Sequence, residues 1–259
     1  EKLLKKELHA FINNKHFYEK NGLPYKRGIL LYGKPGTGKT SLVNAISAYL
    51  SRDIYYLNLK MIKNDSELSA TFSAIPSNQL IVIEDVDAQS TVLHNRKFEI
   101  NSIDKFVNAK YIDNNVQNFT SSDFSLSVFL ACLDGHLISE GNIIIMTTNH
   151  IDFLDPACIR PGQIDVHFKL GYCTHYQLNK MFKNNINESG IPVNVLKNIN
   201  ENVLPPCEVM ALMSLYQNEQ EQVVIENLIK IANQYNNNHK NICKIENITI
   251  KDKKRKCSI

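Results

Sequence analysis

The residues best able to do chemistry lie in Gly33-Lys34-Pro35-Gly36-Thr37-Gly38-Lys39-Thr40. They fit G-x-x-x-x-G-K-[ST], a spacing at which successive backbone N–H groups can turn toward phosphate oxygens. Glycines at 33, 36 and 38 open backbone conformations closed to residues with a Cβ. Lys39 would bridge the β- and γ-phosphates of a nucleotide as a point charge, and the Thr40 hydroxyl would complete a Mg²⁺ shell. Ser41 opens a run with apolar residues at helical spacing, which sets the phosphates at the positive end of a helix.

A second group of reactive residues is Glu84-Asp85-Val86-Asp87, directly after the apolar run Leu80-Ile81-Val82-Ile83. A buried strand ending in acids presents carboxylates at its carboxyl end. One acid would contact the Mg²⁺ shell, and its neighbour would polarise a water for in-line attack on the γ-phosphate. Asn149 ends a third run, Asn142-Ile143-Ile144-Ile145-Met146-Thr147-Thr148. Its amide could orient the attacking water or touch the γ-phosphate, although a lone Asn there also suits a turn.

These groups need elements to hold them. Gly28–Tyr32, Ile54–Leu59, Leu80–Ile83, Asn142–Asn149 and Val166–Leu170 read as strands. Ser41–Leu50, the segment 60–76 with Leu68, Phe72 and Ile75, and the run Leu126, Phe129, Leu130, Leu133 read as helices or loop-helix segments. Asp134-Gly135 closes the last of these. Leu3, Leu4, Leu8, Phe11 and Ile12 mark one face of an opening helix. Lys26 and Arg27 read as a solvated strand end. From Thr174 the pattern is helical throughout, so the chain reads as an α/β domain with a smaller helical satellite. The expected division is an N-terminal helix and approach over 1–26, an α/β domain over 27–172, a helical domain over 173–235 and a polar basic tail over 236–259. Residues 88–122 form a polar, Asn-rich inserted excursion with enough apolar residues (Phe98, Ile100, Ile103, Phe106, Val107, Tyr111, Ile112) for a helix of its own.

A net charge of +3 over 259 residues leaves no nucleic-acid footprint. The six cysteines, Cys132, Cys158, Cys173, Cys207, Cys243 and Cys257, contain no C-x-x-C pair; most sit among apolar neighbours and read as buried free thiols of a reducing compartment in preference to disulfides or a zinc site. No run is long enough to span a bilayer. The chain opens on Glu1 in what reads as mid-helix, as expected of a piece of a longer protein.

The phosphate loop, paired acids, Asn149 and Arg160 occur in one order at AAA ATPase spacing, so the chain resembles that family. Pro24-Tyr25-Lys26-Arg27-Gly28, Glu84-Asp85-Val86-Asp87-Ala88, Met146-Thr147-Thr148-Asn149-His150, Asp155-Pro156 through Gly162, and Pro206-Cys207-Glu208-Val209 are similar to its Bcs-one-type branch. Members of that branch are mitochondrial inner-membrane chaperones for respiratory complex III. The resemblance covers residues 7 to 230. It implies a five-stranded parallel P-loop NTPase sheet flanked by helices, a C-terminal helical lid, and a homo-oligomeric ring with ATP between subunits. It implies that Gly33, Lys34, Pro35, Gly36, Thr37, Gly38, Lys39, Thr40 and Ser41 hold ATP. By the same resemblance Thr40 and Glu84 hold Mg²⁺, Asp85 works on the water, and Arg160 reaches a neighbour's γ-phosphate as an arginine finger.

The chain departs from the family pattern at three places. Lys34 replaces a proline, Gln163 stands where a second finger arginine is expected, and Lys60-Met61-Ile62-Lys63-Asn64 replaces an aromatic-glycine pore loop. The leading reading is an Mg²⁺-dependent ATPase remodelling or translocating a protein client. A nucleotide-binding regulatory or scaffold subunit with weak hydrolysis comes second, and a nucleic-acid-associated motor third. The client stays open, and a membrane connection would come through a segment preceding this chain.

Overall fold

The computed structural model describes residues 2–94 and 124–237. Among these, strands β1 Arg27–Tyr32, β2 Ile54–Tyr56, β3 Leu80–Ile83, β4 Ile143–Thr148 and β5 Val166–Lys169 form one sheet. Its order is β2-β3-β4-β1-β5, with each neighbouring pair parallel. The helices that position it are α1 Lys2–Asn13, α2 Lys15–Lys20, α3 Lys39–Leu50, α4 Asp65–Ser73, α5 Val86–Gln89 and α6 Leu126–Leu133.

A parallel sheet must be covered on both faces, and the period of two along each strand sorts the side chains. Leu30, Ile81, Ile83, Ile144 and Met146 enter one core, closed by Leu68 and Phe72 of α4 and Phe129 and Leu133 of α6. Ile29, Leu31, Leu80, Val82, Ile143 and Ile145 enter the other, closed by Val43 and Ile46 of α3 and Leu4, Leu8 and Phe11 of α1. The fold is therefore the α/β arrangement that the strand pattern predicts.

Several local expectations need correction. On α1 only Leu4, Leu8 and Phe11 are buried, whereas Leu3 and Ile12 face solvent. The second strand stops at Tyr56, because the Asn58 side chain accepts from the Lys60 N–H and caps a 3₁₀ turn over Leu59–Met61. Lys26 and Arg27 are no solvated strand end: Lys26 is buried, and Arg27 is half-buried and paired with Glu7. The helix expected within 88–122 lies outside the described residues beyond α5 and a 3₁₀ turn at Thr91–Leu93. Cys243, Cys257 and the tail from residue 238 lie outside them too.

The chain divides into two compact units. One holds the residues up to Lys34 together with Lys39–Leu170, and the other holds Pro35–Gly38 together with the residues from Gly171 on. In the second unit, α7 His175–Asn185, α8 Val193–Leu196, α9 Pro206–Leu215 and a helix over 221–237 share a core. Leu178, Phe182, Leu196, Val209, Leu212, Met213, Val224 and Leu228 build it. A capping box between Thr174 and Gln177 starts α7. The helices C-terminal to the sheet are those of the lid type. Within this unit the Cys207 N–H donates to the Gly36 carbonyl at 3.1 Å. A Cβ on Gly36 would come within 2.5 Å of the Cys207 Sγ. Cys132, Cys158 and Cys173 are buried free thiols as expected, but Cys207 is exposed. No helix among the described residues is long and apolar enough to cross a membrane.

Candidate functional site

Parallel strands all end on one edge of the sheet, so the order β3-β4-β1 sets three loops side by side. The glycine loop follows β1, the acids follow β3, and Asn149 follows β4, which lies between them. Open parallel sheets bind ligands at that carboxyl edge.

Gly33, Gly36 and Gly38 have φ of 145°, 77° and 91°, values that a side chain opposes. A Cβ on Gly33 would fall 2.1 Å from the Leu170 carbonyl oxygen. A Cβ on Gly38 would meet nothing within 4 Å, so the loop is open there. Lys39, at the first turn of α3, is 8% exposed. Its Nζ donates to the Asn149 Oδ1 at 2.7 Å and to the carbonyls of Gly33 and Lys34 at 2.9 and 3.3 Å. Burial pushes the Lys39 ammonium below the usual lysine range, against the opposing pull of Asp85 and Asp87.

Asn149 also donates from Nδ2 to the Asp85 Oδ1 at 3.1 Å, which makes one polar chain of Lys39, Asn149 and Asp85. Asp85 reaches it because the chain turns left-handed two residues past β3: its φ and ψ are 44° and 52°, and its N–H donates to the Thr147 Oγ1 at 2.9 Å. Beside this chain the Thr40 Oγ1 donates to the Glu84 Oε1 at 2.6 Å. A hydroxyl and a carboxylate oxygen so placed are the hard donors that Mg²⁺ prefers. The donor set therefore fits that ion. Gln89 fixes the acid strand end: its Nε2 donates to the Glu84 carbonyl at 2.6 Å, and its Oε1 accepts from the Leu59 N–H at 2.7 Å.

Gly33, Lys39, Thr40, Glu84, Asp85 and Asn149 thus converge. Lys34, Pro35 and Ser41 are exposed and Thr37 is buried. Arg160 is elsewhere. It is exposed, on a turn that leads into the amino end of β5. Gln163 on the same turn is fully buried, and its Nε2 donates to the Asp134 Oδ1 at 2.9 Å.

Two residues of the site escaped sequence reasoning. Thr147 and Gln89 act through backbone contacts that no motif spells out. Asp87, named in the sequence only as the third acid of its run, has a buried Oδ1 with no hydrogen-bond partner among the described residues.

Comparison with known proteins identifies the family. Residues 29–172 match the ATPase family associated with various cellular activities, AAA. The chain is 34% identical over 222 residues to the mitochondrial chaperone BCS1 of Homo sapiens, covering 83% of this chain and 49% of that protein. It is 36% identical over 190 residues to the probable mitochondrial chaperone BCS1-B of Dictyostelium discoideum, covering 70% and 41% respectively. The AAA-ATPase At5g40000 of Arabidopsis thaliana is 38% identical over 185 residues, covering 71% and 38%. The chain therefore spans half or less of the length of these relatives.

Proposed function

The chain belongs to the AAA ATPase family, and from that premise we propose that it hydrolyses ATP with Mg²⁺ in a ring of like subunits, to remodel a protein client. The observation that carries the reading is the polar chain Lys39–Asn149–Asp85 with the Thr40–Glu84 pair beside it, all on the carboxyl edge of one sheet. Lys39 binds and orients the β- and γ-phosphates. Thr40 and Glu84 would hold the metal, which when bound would supply charge neutralisation at the phosphates. Asp85 accepts a proton from the attacking water, and Asn149 keeps that carboxylate and the Lys39 ammonium in register.

Arg160 acts on a neighbouring subunit's phosphate. What supports action in trans is the sheet itself. The Gln163 carbonyl abuts Gly28 at the amino end of β1, whereas the phosphate loop leaves its carboxyl end. Five residue steps along the strand separate Gly28 from Gly33, about 16 Å at ordinary strand rise. The client-remodelling role follows the named activity of the BCS1 relatives, which are chaperones.

A second reading, a nucleotide-loaded subunit with weak turnover, draws on the burial of Gln163, which leaves Arg160 as the one guanidinium on its turn. Asp85→Asn separates the two. Turnover should fall by about a hundredfold or more while ATP stays bound, the scale expected for a group that stabilises only the transition state. Turnover already negligible in the parent protein, and unchanged by the substitution, would favour the weak-turnover reading.

A further inference from the structure

Lys26 is a residue that neither the phosphate loop nor the acids explain. It stands just before β1, is 7% exposed, and forms no ion pair among the described residues. Its Nζ donates instead to the carbonyls of Gly162 and Gln163, at 2.6 and 3.2 Å. Those carbonyls belong to the turn that begins at Arg160, whose own carbonyl accepts from the N–H groups of Gln163 and Ile164 at 3.1 Å each.

Other contacts close on the same turn. The Gln163 Nε2 donates to Asp134, just past the end of α6. Asp165 accepts from the Gly162 N–H with one oxygen and from the Gly28 N–H with the other, at 3.2 and 2.9 Å. Gly28 lets the turn lie against β1, since a Cβ there would come within 2.2 Å of the Gln163 carbonyl oxygen. The Arg160 side chain is left exposed on a base held from β1, from α6 and from within the turn.

A buried ammonium is an expensive way to tie down two carbonyls. Burial does push Lys26 below the usual lysine range, with Asp165 and Asp134 pulling the other way. A neutral side chain of similar length would fill the space at lower cost. The cation is accounted for if the place of this turn matters more than local stability. A catalytic arginine gains from a fixed base, because a displacement of about 1 Å can cost a hundredfold in rate.

We infer that Lys26 is a positioning residue that holds the Gly162 and Gln163 carbonyls so that Arg160 presents its guanidinium to the adjoining subunit; this rests on the proposed reading of Arg160 as a finger. Gln163, in place of a second arginine, serves the same base through Asp134.

The test is steady-state ATP hydrolysis and ATP affinity of the whole chain carrying Lys26→Met, Lys26→Arg, Arg160→Ala, and Lys26→Met with Arg160→Ala. Lys26→Met should lower kcat, counted per ATP-binding chain, about tenfold, with KM and ATP affinity within about twofold and the melting temperature kept, so that loss of folded protein does not mimic the split. Lys26→Arg, which keeps a buried cation with donors, should retain most of kcat. The double variant should be no slower than Arg160→Ala alone, because Lys26 acts through that arginine. If Lys26→Met is not recovered folded, Gln163→Leu removes the Asp134 contact within a similar volume and should show the same split. Losses that multiply in the double variant, or an unchanged kcat in Lys26→Met while Arg160→Ala is slow, overturn the positioning role. An unchanged kcat in Arg160→Ala overturns the finger reading itself.

Discussion

Asn149 accepts a hydrogen bond from Lys39 and donates one to Asp85, so its loss disturbs both the proposed phosphate-binding cation and the proposed base. Asn149→Ala should reduce kcat by about ten- to a hundredfold, with a much smaller change in KM, as for other preorganised amides. Steady-state kinetics would check this, and a KM effect larger than the kcat effect would make Asn149 a binding residue. A second prediction concerns thiols. Burial raises Cys132 to about 11, Cys158 to about 12 and Cys173 to about 11, from 9.0. Above pH 9 the unfolded chain sheds thiol protons that the folded chain keeps. Their stabilising contribution, whole below pH 9, is therefore lost as pH rises through 11 to 12. The melting temperature should fall between pH 8.5 and 10.5, and Cys158→Ala should make that fall shallower; an identical slope would contradict it. At this scale Lys39 and Thr40 were legible because the glycine spacing admits few other uses. The burial of Lys26 was not, because carbonyls 136 and 137 residues away decide it.

Among the elements, β1 carries the tightest constraint. Its Gly28 meets the Gln163 carbonyl and the Ile164 Cα, both backbone atoms that cannot rotate away. Gly28→Ala should force β1 and the turn before β5 apart and cost about 2 to 3 kcal/mol, the upper range for overpacking. In a chain of this size that is a fall in melting temperature of about 5 to 10 °C. An unchanged melting temperature would mean that the approach is not tight. The strands were legible from unbroken apolar runs, since both faces of a parallel sheet are buried. The early end of β2 was not, because Ile54 to Leu59 stays apolar and β-prone while the Asn58 cap redirects the backbone. Leu3 and Ile12 misled for a related reason: the stripe on α1 is narrower than its apolar residues suggest.

For the whole molecule, the arrangement sets two features at opposite ends of β1: the proposed phosphate site at the carboxyl end and an exposed arginine on a braced turn beside the amino end. On the proposed reading, one subunit completes a site only with another. The order of motifs made the candidate nucleotide site legible, but that separation emerges only when β5 is laid parallel to β1. The most direct measurement is ATP hydrolysis per subunit against protein concentration, with Lys39→Ala as the blank. The account predicts activity that rises with concentration to a plateau and vanishes in the Lys39 variant. ATP bound without turnover at any concentration, or turnover per subunit independent of dilution well below the range of association, would contradict a site shared between subunits.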